Sequence, residues 1–200
     1  MTSAAEAIIG IYQRHADAWD RDRDRSLVEL PWLDSFAALL PAGGRVLDIG
    51  CGAGDPIARH FAAIGHRVTG IDTSPRMIAL CRERLPQQDW RVADMRQLAL
   101  GVEFDGLLAW DSFFHLTQDE QRLMFPIFAR HAAPGAALMF TSGPAGGEAI
   151  GSFQGEPLYH SSLDAAEYRE LLADNGFAVV AHQAEDPDCG HHTIWLSQRR

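Results

Sequence analysis

Apolar residues recur at helical spacing through residues 4–19, where Ile8, Ile9, Ile11, Tyr12, Ala16 and Trp19 predict an opening amphipathic helix. The run Arg21-Asp22-Arg23-Asp24-Arg25 breaks that pattern. A second helix is expected over residues 26–40, with Pro31 inside it, and Pro41-Ala42-Gly43-Gly44 turns the chain out of it. From there apolar runs of strand length alternate with amphipathic segments of helix length. Strands are expected at 45–49, 67–71, 90–92, 104–110 and 136–141, and helices at 56–64, 75–85 and 118–131. Such alternation argues for parallel strands in one sheet with helices on both faces. Gly65 suits a helix end and Pro75 a first helical turn.

The pattern then weakens. Residues 142–162 hold Gly143, Gly146, Gly147, Gly151 and Gly155 and read as a long loop of the kind that covers a binding site. Ser162 or Asp164 can start one more helix, which Asn175-Gly176 stops. Residues 177–184 and 193–197 alternate weakly and read as a hairpin.

The densest chemical signal is Arg45-Val46-Leu47-Asp48-Ile49-Gly50-Cys51-Gly52-Ala53-Gly54-Asp55-Pro56, an apolar strand running into a glycine-rich turn that opens a helix. Gly50, Gly52 and Gly54 let a backbone pass close to a ligand, because a Cβ at each would occupy the space the ligand needs. The third glycine comes one residue early for the dinucleotide pattern G-x-G-x-x-G, leaving Asp55 in its place, and an acid at a helix entrance opposes phosphate. A nicotinamide-dependent oxidoreductase is therefore disfavoured, and a cationic or zwitterionic nucleoside ligand is favoured. The second strand ends in Asp72, within the span where an acid accepts hydrogen bonds from ribose hydroxyls.

Val46-Leu47-Asp48-Ile49-Gly50-Cys51-Gly52-Ala53-Gly54 resembles the first motif of the class I S-adenosylmethionine-dependent methyltransferases, whose E/D-x-G-x-G-x-G loop wraps the methionine and ribose parts of the cofactor. Ala93-Asp94-Met95 resembles the adenine-binding turn of that family, which implies that Asp94 accepts from the exocyclic amine while the Met95 N–H donates to the ring. The strand ending at Trp110, followed by Asp111-Ser112-Phe113-Phe114-His115-Leu116, stands where the family faces the transferable methyl. The resemblance extends over about residues 12–196 and rests on four ordered motifs. It implies an α/β fold: a doubly wound, seven-stranded, mostly parallel Rossmann-like sheet with an antiparallel last strand and an N-terminal helical cap. If the sixth strand runs parallel to the others, the turn 185–192 borders the active site.

The same resemblance implies S-adenosylmethionine as cofactor, S-adenosylhomocysteine as product and a small-molecule O, N or C nucleophile as acceptor. Asp48, Asp72, Asp94, Met95 and Trp110 are the expected cofactor contacts besides the glycines. Tyr12, with Ala16, Trp19 and Asp20, resembles an aromatic lid over the cofactor, and Arg25 is a candidate partner for its carboxylate. His115 is the candidate general base, since a hydroxyl or ammonium nucleophile must lose a proton. Asp111 and His160 are candidate substrate contacts. The acids, Cys189 and histidines of 186–192 are crowded into one turn and only Asp111 stands near the fourth strand, so no metal is expected.

Composition narrows the partners. With 200 residues and 46% hydrophobic content the chain fits one domain: a cap over 1–43, a cofactor-binding core over 44–141, a substrate loop over 142–162 and a C-terminal helix and hairpin over 163–200. A net charge of −10 opposes nucleic-acid binding. No run reaches the roughly 18 apolar residues of a membrane span, and no signal pattern opens the chain, so a cytoplasmic protein is expected, monomeric or homodimeric. Cys51, Cys81 and Cys189 suggest reduced thiols, with Cys51 packed beneath the cofactor loop. A non-catalytic binding or regulatory protein of the same fold stays open, because a cofactor loop can persist without a competent base.

Overall fold

The computed structural model describes residues 4–200. Strands β1 (Arg45–Ile49), β2 (Arg67–Asp72), β3 (Asp89–Val92), β4 (Phe104–Ala109), β5 (Ala132–Ser142), β8 (Phe177–Asp186) and β9 (His192–Arg199) form one seven-stranded sheet in the order β3-β2-β1-β4-β5-β9-β8. The first five are mutually parallel, and β9 runs antiparallel to both β5 and β8. The sheet is therefore the expected doubly wound one with an antiparallel last strand. Because β8 points the same way as β1, the turn joining it to β9 lies at the carboxyl edge of the parallel strands, as the hairpin reading required.

Helices cover both faces. On one side α6 (Gln118–His131) and α7 (Ala165–Asp174) bury Phe125, Phe128, Tyr168 and Leu172 against Leu107, Leu138, Phe140 and Trp195. On the other, α3 (Leu30–Ala37), α4 (Ile57–Ala63) and α5 (Pro75–Arg84) bury Leu33, Phe36, Phe61 and Ile78 against Val46, Val68, Leu108 and Met139. Inward positions of central strands are apolar on both faces, which is why these strands read as continuous runs. The start of α6 is a reciprocal cap in which Thr117 and Glu120 each bond the other's backbone N–H. None of the described helices is long and apolar enough to cross a membrane.

Two expectations change. The single N-terminal helix is two, α1 (Ala4–Arg14) and α2 (Ala16–Asp22), separated at His15, and the helix expected from residue 26 is α3, which starts later with Pro31 in its first turn. The long loop of 142–162 is largely a second, two-stranded sheet of β6 (Gly147–Phe153) and β7 (Glu156–Ser162). Phe153 pairs with Glu156, so Gln154 and Gly155 form a two-residue turn, with φ of 51° and 79°. Both values lie in the left-handed region that matches a primed hairpin turn.

The cap is fastened at several points. Arg84 of α5 grips Asp20 of α2 with two bonds of 2.6 Å, which hold the Asp20 carboxyl below its ordinary range. Arg76 reaches Asp17 at 2.7 Å. Across the cleft, Glu156 of the hairpin pairs with Arg14 and lies 2.6 Å from His15. Replacing Asp20 by Ala should cost roughly 1–2 kcal/mol in denaturant unfolding, as loss of a bidentate, partly buried pair does. Trypsin should then cut faster at Arg21, Arg23 and Arg25. Unchanged cleavage would show that α2 is held elsewhere.

Candidate active site

At the carboxyl edge of β1, β2 and β4 lie two adjoining hollows. The larger, about 810 Å³ of space open to solvent on one side, is lined by Ile8, Tyr12, Trp19, Asp72, Asp94, Met95, Asp111 and His115 among others. The smaller, about 440 Å³, is lined by Arg23, Asp48, Cys51, Asp55 and Trp110 among others. Trp19, Gly50, Gly52 and Asp111 border both.

Each expected cofactor contact except Gly54 and Arg25 borders one of these hollows. Gly50 has φ of 78°, and a Cβ there would sit 2.3 Å from the Ser112 Cβ, so only glycine fits. Gly52 donates its N–H to Asp72 Oδ2 at 3.1 Å, and Ser74 donates to Oδ1 at 2.8 Å. Burial nevertheless raises the Asp72 pKa, outweighing those bonds. Asp48 is 5% exposed, and among the described residues nothing hydrogen-bonds its carboxylate. Burial, reinforced by the Asp72 charge and opposed by Arg23, pushes it up to about 7. Asp94 is also buried in part, yet Arg96 bonds both its oxygens, at 3.0 and 2.6 Å, and so holds it below the ordinary carboxylate range. Arg96 reaches on to Glu120 at 2.7 Å, which ties the adenine-type turn to the cap of α6.

Gly54 serves packing instead. Its Cβ would lie 3.1 Å from Cys81 Sγ and 3.3 Å from Trp90, and it borders neither hollow. Cys51 and Cys81 both aim their thiols at the Gly52 carbonyl, at 3.6 and 3.2 Å, and burial raises the Cys51 thiol well above its usual pKa. These sulfurs pack beneath the loop.

Tyr12 and His115 meet across the larger hollow. The Tyr12 hydroxyl lies 2.8 Å from His115 Nε2, and His115 Nδ1 lies 2.8 Å from the Tyr159 carbonyl. A carbonyl only accepts, so Nδ1 carries the proton and Nε2 holds the lone pair to which Tyr12 donates. Burial lowers the His115 pKa to about 4. Tyr12 also stacks on Phe153 and meets Trp19 edge-on, which closes the cleft between cap and hairpin. His160 stands behind His115, ring centroids 4.9 Å apart, and faces a different groove, about 840 Å³, beside Phe114, Ser142 and Glu148. The structure thus brings Asp111 to the cleft and leaves His160 outside it.

A family profile described as a methyltransferase domain matches residues 46–135. The chain is 30% identical over 131 residues to trans-aconitate 2-methyltransferase of Variovorax paradoxus, covering 64% of this chain and 46% of that one. It is likewise 30% identical over 128 residues to dTDP-4-amino-2,3,4,6-tetradeoxy-D-glucose N,N-dimethyltransferase of Saccharopolyspora spinosa, covering 60% and 51%. Its fold matches a structure of magnesium protoporphyrin IX methyltransferase from Synechocystis with bound S-adenosylmethionine, at a TM-score of 0.75 over 100% of this chain and 99% of that one, with 19% identity. Residues 46–135 thus carry a methyltransferase domain, in a chain with the class I methyltransferase fold. The chain spans about half the length of those two curated relatives.

In this structure the basic run is used differently from expectation. Arg25 is engaged by Asp20 at 2.9 Å and Asp55 at 3.3 Å, while Arg23 borders the smaller hollow and bonds the buried Glu29 at 3.1 Å. Asp55 is no bare charge, since Arg59 also binds it at 3.1 Å. The repulsion of phosphate inferred from Asp55 is therefore weakened by its two arginine partners. His192 was read only as part of a border turn, yet its Nε2 lies 2.9 Å from Asp111 Oδ1 and its ring 5.2 Å from that of Trp110. Its pKa is raised, chiefly by the Asp111 bond. Among the described residues no group of three or more His, Cys, Asp or Glu is arranged to hold a metal.

A buried neutral His115 has a pH signature. Its folded pKa lies below the free value of about 6.5, so the unfolded chain binds the extra proton first, and this contribution to stability is lost as pH falls from 6.5 toward 4. Imidazole NMR should place its titration midpoint near 4, and His115→Gln should flatten the stability slope in that window. A midpoint at 6.5 would contradict the buried assignment.

Proposed function

We propose that the protein transfers a methyl group from S-adenosylmethionine to a small-molecule oxygen, nitrogen or carbon nucleophile. The observation that supports this most is Asp48, a buried carboxylate without a hydrogen-bonding partner that borders the same hollow as the Arg23 guanidinium. An unpaired acid is costly to bury, and a ligand ammonium there would compensate it. One anion and one cation in the same hollow fit the two charged groups of an amino acid. Asp72 keeps a free lone pair on each oxygen for ribose hydroxyls, and Asp94 and Met95 border the larger hollow where a base would lie.

When bound, the cofactor supplies a methyl group on a cationic sulfur that an in-line nucleophile can displace. The chain's part is to position the reactants and exclude water. Tyr12, Trp19 and Phe153 form an aromatic cover between cap and hairpin. Where the acceptor carries a proton, Tyr12 takes it while passing its own to His115 Nε2, whose lone pair is held ready by the Nδ1 bond to Tyr159. His115 therefore acts as the base through Tyr12: burial keeps its imidazole neutral with the Nε2 lone pair free, while the same burial weakens its hold on the proton it receives.

Calorimetric titration with S-adenosylmethionine, S-adenosylhomocysteine, NAD and NADP tests the reading. Both sulfur nucleosides should bind and neither nicotinamide nucleotide should; the reverse would overturn it. Since Asp48 titrates at about 7, affinity for the sulfur nucleosides should rise from pH 6 to pH 8 as the carboxylate ionises. Asp48→Asn should bind them more weakly, by about tenfold or more, and lose that pH dependence. A variant that keeps both would remove Asp48 from the site.

A further inference from the structure

We infer that Asp111 is the residue by which this site distinguishes a cationic sulfur from a neutral one. The inference rests on the cofactor reading above. If the nucleoside occupies the larger hollow and the amino-acid end the smaller, the sulfur joining them passes between the residues common to both. Those are Trp19, Gly50, Gly52 and Asp111, and only Asp111 is ionisable.

The carboxylate is held in a fixed pose. Asp111 has φ of 50°, and its N–H donates to Thr141 Oγ1 at 2.9 Å. Oδ1 lies 2.9 Å from His192 Nε2, and His192 Nδ1 lies 2.7 Å from the Cys189 carbonyl. A carbonyl and a carboxylate both only accept, so each imidazole nitrogen carries a proton and His192 is an imidazolium. Oδ2 has no hydrogen bond among the described residues. The imidazolium thus secures one oxygen from behind and leaves the other for the cleft. At contact distance that oxygen outweighs the more distant cation, because Coulomb energy falls with separation and a half-dry cleft screens it poorly. A sulfonium is attracted there, and the neutral thioether left after methyl transfer is not. Asp111 would then add to the affinity for the charged donor and not to that for the spent product, which favours exchange of one for the other.

Three ligands separate charge from shape: S-adenosylmethionine, S-adenosylhomocysteine, and an analogue with an ammonium-bearing carbon in place of the sulfonium. Asp111→Asn keeps the shape, and asparagine tolerates positive φ better than most residues. Calorimetry should show the two cations losing about tenfold in affinity while the thioether changes by less than about twofold. Asp111→Ser removes the same charge with a shorter side chain and should show the same selective loss. An equal loss for all three ligands in both variants, or no loss, would overturn the inference. If the wild-type protein bound none of the three, the cofactor reading itself would fail, and this inference with it.

Discussion

Strand β1 has one neighbour on each side, β2 and β4, and the chain winds outward from it in opposite directions to the two halves of the sheet. The helices after β1 and β4 therefore leave on opposite faces, and a crevice opens at the carboxyl end between them. Its geometry is set by one close approach. Ser112 Oγ donates to the Ile49 carbonyl at 2.6 Å, bringing the chain beyond β4 against the chain beyond β1. Gly50 has to lack a side chain because Ser112 already fills that space. Asp48 and Gly50 flank Ile49, and Asp111 precedes Ser112, so this contact sets the spacing between them.

The roof is made differently. Helices α1 and α2 contribute few fully buried residues and are held to the core by ion pairs, Asp20 with Arg84 and Asp17 with Arg76. The β6–β7 hairpin is linked to α1 through Glu156, and its Phe153 meets Tyr12 and Trp19. Floor and roof meet at Tyr12 and His115, where a phenol on the cap bonds an imidazole on the core. A rigid floor with a roof held by polar contacts suits a site that must admit a ligand and then exclude water.

Most of the floor was legible in the chain because its signals are local. The glycine run, Asp72 at the end of β2 and each strand or helix of the alternation can be read from neighbouring residues. What was not legible depends on contacts distant in sequence or on competing patterns. His192 and Asp111 are 81 residues apart, so nothing in either neighbourhood announces the pair. Arg23 and Arg25 sit in one charge run, and only the turn after α2 decides which of them borders the hollow. The hairpin was hidden because β6 is exposed along nearly its whole length and rich in glycine, so it lacks the alternation that marks a half-buried strand. Its signal was the Gln154-Gly155 pair, a turn dipeptide akin to Asn-Gly between two short polar strands. Gly54 belonged to the legible motif, but the reason for it differs: it makes room for Cys81 and Trp90.

In crystals of the protein grown with S-adenosylhomocysteine, one ligand should span the two hollows across Gly50 and Gly52. Its adenosine should lie in the larger hollow, with the ribose hydroxyls on Asp72 and the base at Asp94 and Met95, and its amino-acid end in the smaller hollow between Asp48 and Arg23. An amino-acid end turned away from Asp48, or a nucleoside seated in the groove beside His160 instead, would contradict this placement.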